Sequence, residues 1–404
     1  MYHPDAYGYY LFNGLKFYSK YDVMTVAEDP RSVTWHYNDN FFSSFDWTKE
    51  PKLSLPDLYR KKAEQLRNDY DYIILMYSGG SDSGNILETF VQNNIYLDEV
   101  CHLINVAGSG DKDSFHNREI FTIANPRIKQ YVNQYNLKTK IRLVDISQSI
   151  VDFYGNKENK FDFVHYVNSF GSAFCQSKCD LENLIPEWKS LLESGKKVCI
   201  IWGCEKPRLN VSNKGFYFHF YDTIDGSMSL RNQLTGPSTE ITNELFYWSP
   251  TKESADILIK QSHVIKNFLL TNHEGWSPKH QYHPDEEMSV SWVLLGMGKY
   301  LVKNNDFPSK ISKFGGNDIK ELIYPYWNRD EEIMLKSPTG NFLSKRDEWF
   351  WKKTNEPMVE TFLGGLDHLT NNIKPDWIES YFEFQDKKYP KSIVRILTKP
   401  YALQ

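Results

Sequence analysis

Between residues 72 and 93 the chain changes its hydrophobic pattern twice within a few steps. Tyr72-Ile73-Ile74-Leu75-Met76-Tyr77 is an unbroken apolar and aromatic run; Ser78-Gly79-Gly80-Ser81-Asp82-Ser83 ends it, and a helical pattern follows from Gly84. An apolar run bounded by turn residues predicts a strand buried on both faces, over 72–77, leading into a helix over 84–93. The alternation then repeats. Strands are predicted over 98–106, 140–146 and 197–202, and helices over 115–135, where Asn125-Pro126 predicts a kink or a division, and over 181–194. Four strands joined by helical crossovers predict an α/β fold built on a doubly wound parallel sheet.

The flanks read differently. Tyr9-Tyr10-Leu11-Phe12, Asn13-Gly14 and Leu15-Lys16-Phe17-Tyr18 spell strand, tight turn and strand. Ser54 and Asp57 bracket a helix start, with Leu55, Leu58, Tyr59, Lys62 and Leu66 at helical spacing up to Asn68. Beyond Gly203 the alternation fades: 215–221 predicts one more strand, and 254–270 a helix that turns Ile257, Leu258, Val264, Ile265 and Phe268 inward. The last third is rich in Trp, Pro and Lys with few clean periods; helices are expected near 288–303 and 356–369. The expected organisation is a hairpin-and-helix extension over 1–68, the α/β domain over 69–270, and a mixed, mainly helical substrate or accessory region over 271–404. Neither an internal repeat nor a low-complexity linker separates them, so the parts should pack closely.

The 404 residues are enough for two or three domains with a sizeable core. The net charge of −5 provides no global basic field for nucleic acid or an anionic membrane, although a local basic groove would not show in the total. No stretch approaches the roughly 20 apolar residues of a membrane span, and the start MYHPDAYGYY has neither a basic nor an apolar signal region. Cys101, Cys175, Cys179, Cys199 and Cys204 are few, odd in number and irregularly spaced, which fits a reducing compartment. The expectation is a soluble, cytoplasmic protein whose 15 % aromatic content serves packing.

A buried strand that runs through a glycine pair into a helix presents uncovered backbone N–H groups at the positive end of the helix dipole, which is an anion site. Gly79 and Gly80 let the main chain approach a phosphate, and the Ser78, Ser81 and Ser83 hydroxyls add donors. The loop lacks the lysine and the glycine spacing of the Walker type. A carboxylate beside bound phosphate is repulsive unless a cation intervenes, so Asp82 is the candidate ligand of Mg²⁺ bridging phosphate oxygens.

Strand 72–77 followed by Ser78-Gly79-Gly80-Ser81-Asp82-Ser83 resembles the SGGxDS fingerprint of the N-type PP-loop ATP pyrophosphatases. That family includes the synthetase domain of asparagine synthetase, GMP synthetase, NAD synthetase, argininosuccinate synthetase and tRNA-thiolating enzymes. The likeness covers roughly residues 72–208. It implies a Rossmann-like fold of the adenine nucleotide alpha hydrolase type, with ATP and Mg²⁺ as cofactors. It also implies formation of an adenylated substrate with release of pyrophosphate, and displacement of AMP by a nucleophile. Carried onto this chain, Ser78, Gly79, Gly80, Ser81 and Ser83 hold the β and γ phosphates and Asp82 contacts the metal.

Ligands of open α/β sheets collect beyond the strand ends where strand order reverses. With the order 3-2-1-4 that the family implies, the fourth strand ends beside the loop at Trp202-Gly203-Cys204-Glu205-Lys206-Pro207-Arg208. Gly203 is a candidate binding residue there. Lys206 and Arg208 are candidates for meeting the phosphates or stabilising charge at the α-phosphorus, and Glu205 for a proton or a second Mg²⁺. Asn105, at the end of the second strand, lies where the family's adenine rests against main chain.

Other clusters weigh less. Lys260, His263 and Lys266 recur on one predicted helix and read mainly as a solvated polar face; Lys313-Phe314-Gly315-Gly316-Asn317-Asp318 reads as a turn or a lid. His280 and His283 with Asp285, Glu286 and Glu287 lack a second cluster at zinc-ligand spacing. Arg346 and Asp347 beside Trp349 and Trp351 suit either an acceptor site or aromatic packing.

Asparagine synthetase carries a glutaminase domain with a cysteine nucleophile directly after the initiator methionine. Here that position is Tyr2 and the stretch ahead of the loop is too short for such a domain, so nitrogen is expected from free ammonia, an amine substrate or a separate ammonia-supplying subunit. The leading expectation is an ATP-dependent ligase that adenylates a small-molecule carboxylate or carbonyl oxygen and transfers it to nitrogen. The alternatives are a sulfurtransferase that uses Cys204 or Cys175, and a non-catalytic ATP-binding subunit. Stand-alone chains with such a loop also occur among tailed-phage proteins, for which the compartment would be the host cytoplasm.

Overall fold

The computed structural model describes residues 8–159, 181–203, 207, 209–212, 215–222, 241–272, 288–289, 316–326 and 348–403. Tyr9–Phe12 (β1) and Leu15–Phe17 (β2) form the expected antiparallel hairpin, and Thr34–His36 (β3) adds a strand on the other side of β1. Asn13 and Gly14 both take positive φ, 48° and 80°, a turn that suits the right-handed twist of the paired strands. Helix Leu55–Asp69 begins as its pattern predicts: Ser54 Oγ accepts the Asp57 N–H at 3.3 Å, and Pro56 occupies the first turn, where no donor is required.

Tyr72–Met76 (β4), Glu99–Ile104 (β5), Lys140–Asp145 (β6) and Val198–Trp202 (β7) are the four expected strands. They are followed by Leu209–Ser212 (β8), Gly215–Phe218 (β9) and Thr242–Leu245 (β10). The central sheet has the order β10-β7-β4-β5-β6 with every pair parallel. Helices flank it, and the chain is an α/β protein with a Rossmann-like core. The fifth strand escaped the pattern because only Leu245 in Thr-Asn-Glu-Leu is apolar.

Of the strand predicted over 215–221, residues 215–218 form one, outside the parallel sheet, and Tyr221 makes an isolated bridge to Leu397. β9 pairs with β8, which pairs with Met288–Ser289 (β11), so the start of the helix expected near 288 is instead a strand. Ile378–Phe384 (β12) and Lys387–Ile393 (β13) make a separate hairpin, and Tyr401–Ala402 (β14) closes the antiparallel sheet against β9. Pro357–Asn372 is the helix expected over 356–369. Proline divides the other long helices. Leu181–Leu184 and Pro186–Glu193 meet at Ile185, and Phe115–Glu119 continues through a π turn, Ile120–Ala124, into Asn125–Gln134. The missing N–H of Pro126 breaks the i→i−4 ladder, and Asn125 N–H accordingly bonds to Ile120 O, five residues back.

Ile73, Ile74 and Leu75 of β4 are fully buried, as a central strand covered on both faces requires. The helix after β4, Ser81–Gln92, is buried continuously from Ser83 to Val91. Leu55–Asp69 packs on it and on Lys252–Asn272, and the one buried acid of Ser81–Gln92, Glu88, accepts from the Tyr131 hydroxyl and from Gln92 Nε2 at 3.2 Å. No helix among the described residues is long and apolar enough to cross a membrane.

Candidate functional site

The chain leaves β4 at Tyr77 and turns at Gly79, whose φ of +89° strains any residue with a Cβ; a Cβ there would also stand 3.1 Å from both Ala124 Cβ and Glu119 Cγ. Serine hydroxyls tie the turn. Ser83 Oγ accepts the Ser78 N–H at 3.3 Å, Ser78 Oγ accepts the Gly80 N–H at 3.3 Å, and the two hydroxyls lie 3.2 Å apart. The first turn-closing helical bond is Gly84 N–H to Gly80 O at 2.8 Å. The amides of Ser81, Asp82 and Ser83 therefore precede the ladder at the positive end of a twelve-residue helix whose N-cap, Gly80, offers no side-chain acceptor.

β7 meets this turn from the neighbouring strand, with Trp202 in register with Met76. A Cβ on Gly203 would sit 2.7 Å from Ser83 N and 2.8 Å from Ser83 Cα, both backbone atoms that cannot swing aside. The expected meeting of Gly203 with the serine-glycine turn is thus observed, and only glycine fits it.

A third wall comes from the π turn and its flanks. Glu119 Oε1 lies 3.5 Å from the position a Gly80 Cβ would take, and Arg127 Nη1 lies 3.8 Å from that of Gly84 while donating to the Tyr77 hydroxyl at 3.3 Å. Burial pushes the Tyr77 phenol up to about 12, against the pull of Arg127, so it stays protonated. Nothing local in the sequence singled out Glu119 or Arg127, although Asn125-Pro126 did mark the break that brings them in.

Asp82 is held from two distant parts of the chain. Its carboxylate Oδ1 accepts the Tyr324 hydroxyl, and its main-chain O accepts the Tyr247 hydroxyl at 2.9 Å. Asn85 Nδ2 donates to the same Tyr247 oxygen at 3.2 Å. Tyr59 donates to Ile323 O and accepts from Gln261 Nε2 at 2.8 Å. Burial raises all three phenols well above the ordinary tyrosine value, which keeps them as donors.

At the end of β5, Asn105 is fully buried. Its N–H donates to Asn117 Oδ1 at 3.0 Å, while its side-chain amide finds no hydrogen-bond partner among the described residues. His102, also fully buried, has Nδ1 2.7 Å from Tyr77 O; a carbonyl can only accept, so Nδ1 carries the proton. Burial pulls the imidazole down to about 4, despite the opposing carbonyl. An unfolded histidine protonates near 6.5, so the unfolded chain takes up this proton first as pH falls, and stability drops. Between pH 7 and 5 this group should cost about 2 kcal/mol of unfolding free energy. Urea unfolding of His102→Gln should show a pH slope flatter by that amount; an unchanged slope would show that His102 does not titrate in this way.

The other sequence candidates scatter. Lys206 and Arg208, with Cys204 and Glu205, lie outside the described residues, as do Cys175, Cys179, His280, His283, residues 285–287 and 313–315, Arg346 and Asp347. Lys260, His263 and Lys266 do not form a solvated face. Lys260 Nζ pairs with Glu50 at 2.6 Å, His263 Nε2 lies 2.9 Å from Trp47 O, and Lys266 Nζ donates to Leu403 O at 2.9 Å. Trp349 and Trp351 are buried in packing, Trp349 over Gly108 and Trp351 against Phe362 and Phe384. Cys101 and Cys199 are buried in strands, and burial followed by the charge of Glu244 raises the Cys199 thiol well above its usual value. Among the described residues no three His, Cys, Asp or Glu side chains gather to hold a metal. No protein-family model and no curated protein matches the chain.

Proposed function

We propose that the turn after β4 binds the triphosphate tail of ATP with Mg²⁺, and that the chain is an N-type PP-loop ATP pyrophosphatase with the adenine nucleotide alpha hydrolase type of fold. The observation that carries this reading is the uncapped helix start: the amides of Ser81, Asp82 and Ser83 precede the helical ladder, in a turn that Gly79 at positive φ and the close approach of Gly203 shape. The residues present fit the group. Ser78, Gly79, Gly80, Ser81 and Ser83 supply amide and hydroxyl donors for the β and γ phosphates. Asp82 supplies a carboxylate, and Mg²⁺ is commonly held by one or two carboxylates together with phosphate oxygens rather than by a protein cage. The side-chain amide of buried Asn105, which has no hydrogen-bond partner among the described residues, supports a polar contact to the nucleotide at the end of β5.

Bound Mg²⁺-ATP would supply an electrophilic α-phosphorus and pyrophosphate as leaving group. The chain's own part is to fix the tail on rigid main chain at the strand ends, and to bring positive charge through Lys206 and Arg208. The reaction is adenylation of a carboxylate or carbonyl oxygen, with transfer to a nitrogen nucleophile. The buried thiol of Cys199, raised well above its usual value, is no sulfur carrier; the sulfurtransferase alternative rests on Cys204 or Cys175, outside the described residues.

A screen of small-molecule acids and amines for conversion of ATP to AMP and pyrophosphate, with Mg²⁺ and with EDTA, tests the reading. AMP formation that requires Mg²⁺ and one acid is the expected result. Uptake of Mg²⁺-ATP without pyrophosphate under every mixture would make the chain a nucleotide-binding subunit, and absence of uptake by folded protein would overturn the assignment.

A further inference from the structure

We infer that Tyr324 is the positioning residue for the metal-binding carboxylate of the loop, an inference that rests on the proposed Mg²⁺-ATP site. Asp82 is partly exposed in the first helical turn, whereas Tyr324 is 1 % exposed, so their contact joins the surface to the interior. The phenol cannot drift. Its own N–H donates to Lys320 O at 2.8 Å, the preceding carbonyl of Ile323 accepts from Tyr59, and its ring packs 5.8 Å from that of Tyr247. Tyr247 in turn grips the main-chain oxygen of Asp82 at 2.9 Å.

Main chain and carboxylate of one residue are therefore fixed by two hydroxyls that come from positions 165 and 242 residues along the chain. The first turn of a helix needs no such partner for a carboxylate, which the dipole already favours there. A donor aimed at Oδ1 does something more specific: it sets the rotamer and plane of the carboxylate, and with them the direction in which its lone pairs meet a cation. Carboxylates that ligate metals are commonly oriented by such outer hydrogen bonds, and losing one typically costs about 10–100-fold in metal affinity.

Tyr324→Phe keeps the ring and removes the hydroxyl. Calorimetric titration with ATP in excess Mg²⁺ and with ATP in EDTA gives the gain in affinity due to the metal. That gain should fall about tenfold or more in Tyr324→Phe, while binding of metal-free ATP changes little. In an Asp82→Asn background the same substitution should have no effect on the gain, because the oriented charge is already gone. A full Mg²⁺ gain in Tyr324→Phe would overturn the inference and leave the ATP reading intact. Equal loss with and without Mg²⁺, or a chain that no longer folds, would place the hydroxyl in the framework and also overturn it. A wild-type chain that takes up no ATP would remove both readings.

Discussion

Asp82→Asn should lower Mg²⁺-dependent conversion of ATP to AMP about 100-fold or more while the melting midpoint stays within a few degrees of wild type. The large effect follows from charge: a metal that stabilises phosphoryl oxygens contributes several kcal/mol, and a neutral amide cannot retain it beside phosphates. The small effect on folding follows from shape. Asparagine keeps an acceptor for the Tyr324 hydroxyl and leaves the Tyr247 bond to the main chain in place, so no buried phenol loses its partner. Losing a favourable charge from the first helical turn accounts for only about 0.3–1 kcal/mol. Turnover and Mg²⁺ dependence equal to those of wild type would remove Asp82 from the metal site.

Asp222→Ala should destabilise the protein by about 3–5 kcal/mol in urea unfolding, the largest stability loss expected here. Lys20, 2 % exposed, places its ammonium 2.5 Å from Asp222 Oδ2 and 2.5 Å from Val394 O, and the Tyr10 hydroxyl approaches the same carboxylate at 3.3 Å. Burial raises the carboxyl above its ordinary value, against the opposing charge of Lys20. Removing one partner strands a buried charge, whereas removing both removes the cost as well. Lys20→Met with Asp222→Leu should therefore be less damaging than Asp222→Ala alone. If the double variant is the sum of the singles, the two groups do not act as a pair.

The loop and its strand were legible because the pattern there is strong and local: a continuous apolar run, a glycine pair, then a helix. Gly203 could be placed beside it only by assuming a strand order, and the parallel pairing of β4 with β7 bears that order out. Glu119, Arg127, Tyr247 and Tyr324 had no such signature, since each belongs to another element and approaches the loop through packing. Lys260, His263 and Lys266 depart from the pattern for a related reason. Regular spacing suggested a common solvated face, but Trp47, Glu50 and Leu403 cover them.

By itself the order of residues determined the α/β alternation, the buried strand and the glycine turn that follows it, because periodicity and glycine act over a few neighbouring positions. Tertiary structure alone decided that Thr242–Leu245 joins the sheet and that residues 215–218 leave it for an antiparallel partner near the C-terminus. It alone decided, too, that a tyrosine 242 positions away donates a hydrogen bond to the loop's carboxylate. Those outcomes depend on which backbone edges and buried hydroxyls find partners once the core has closed, and that choice is made between segments that carry no mark of one another in the chain.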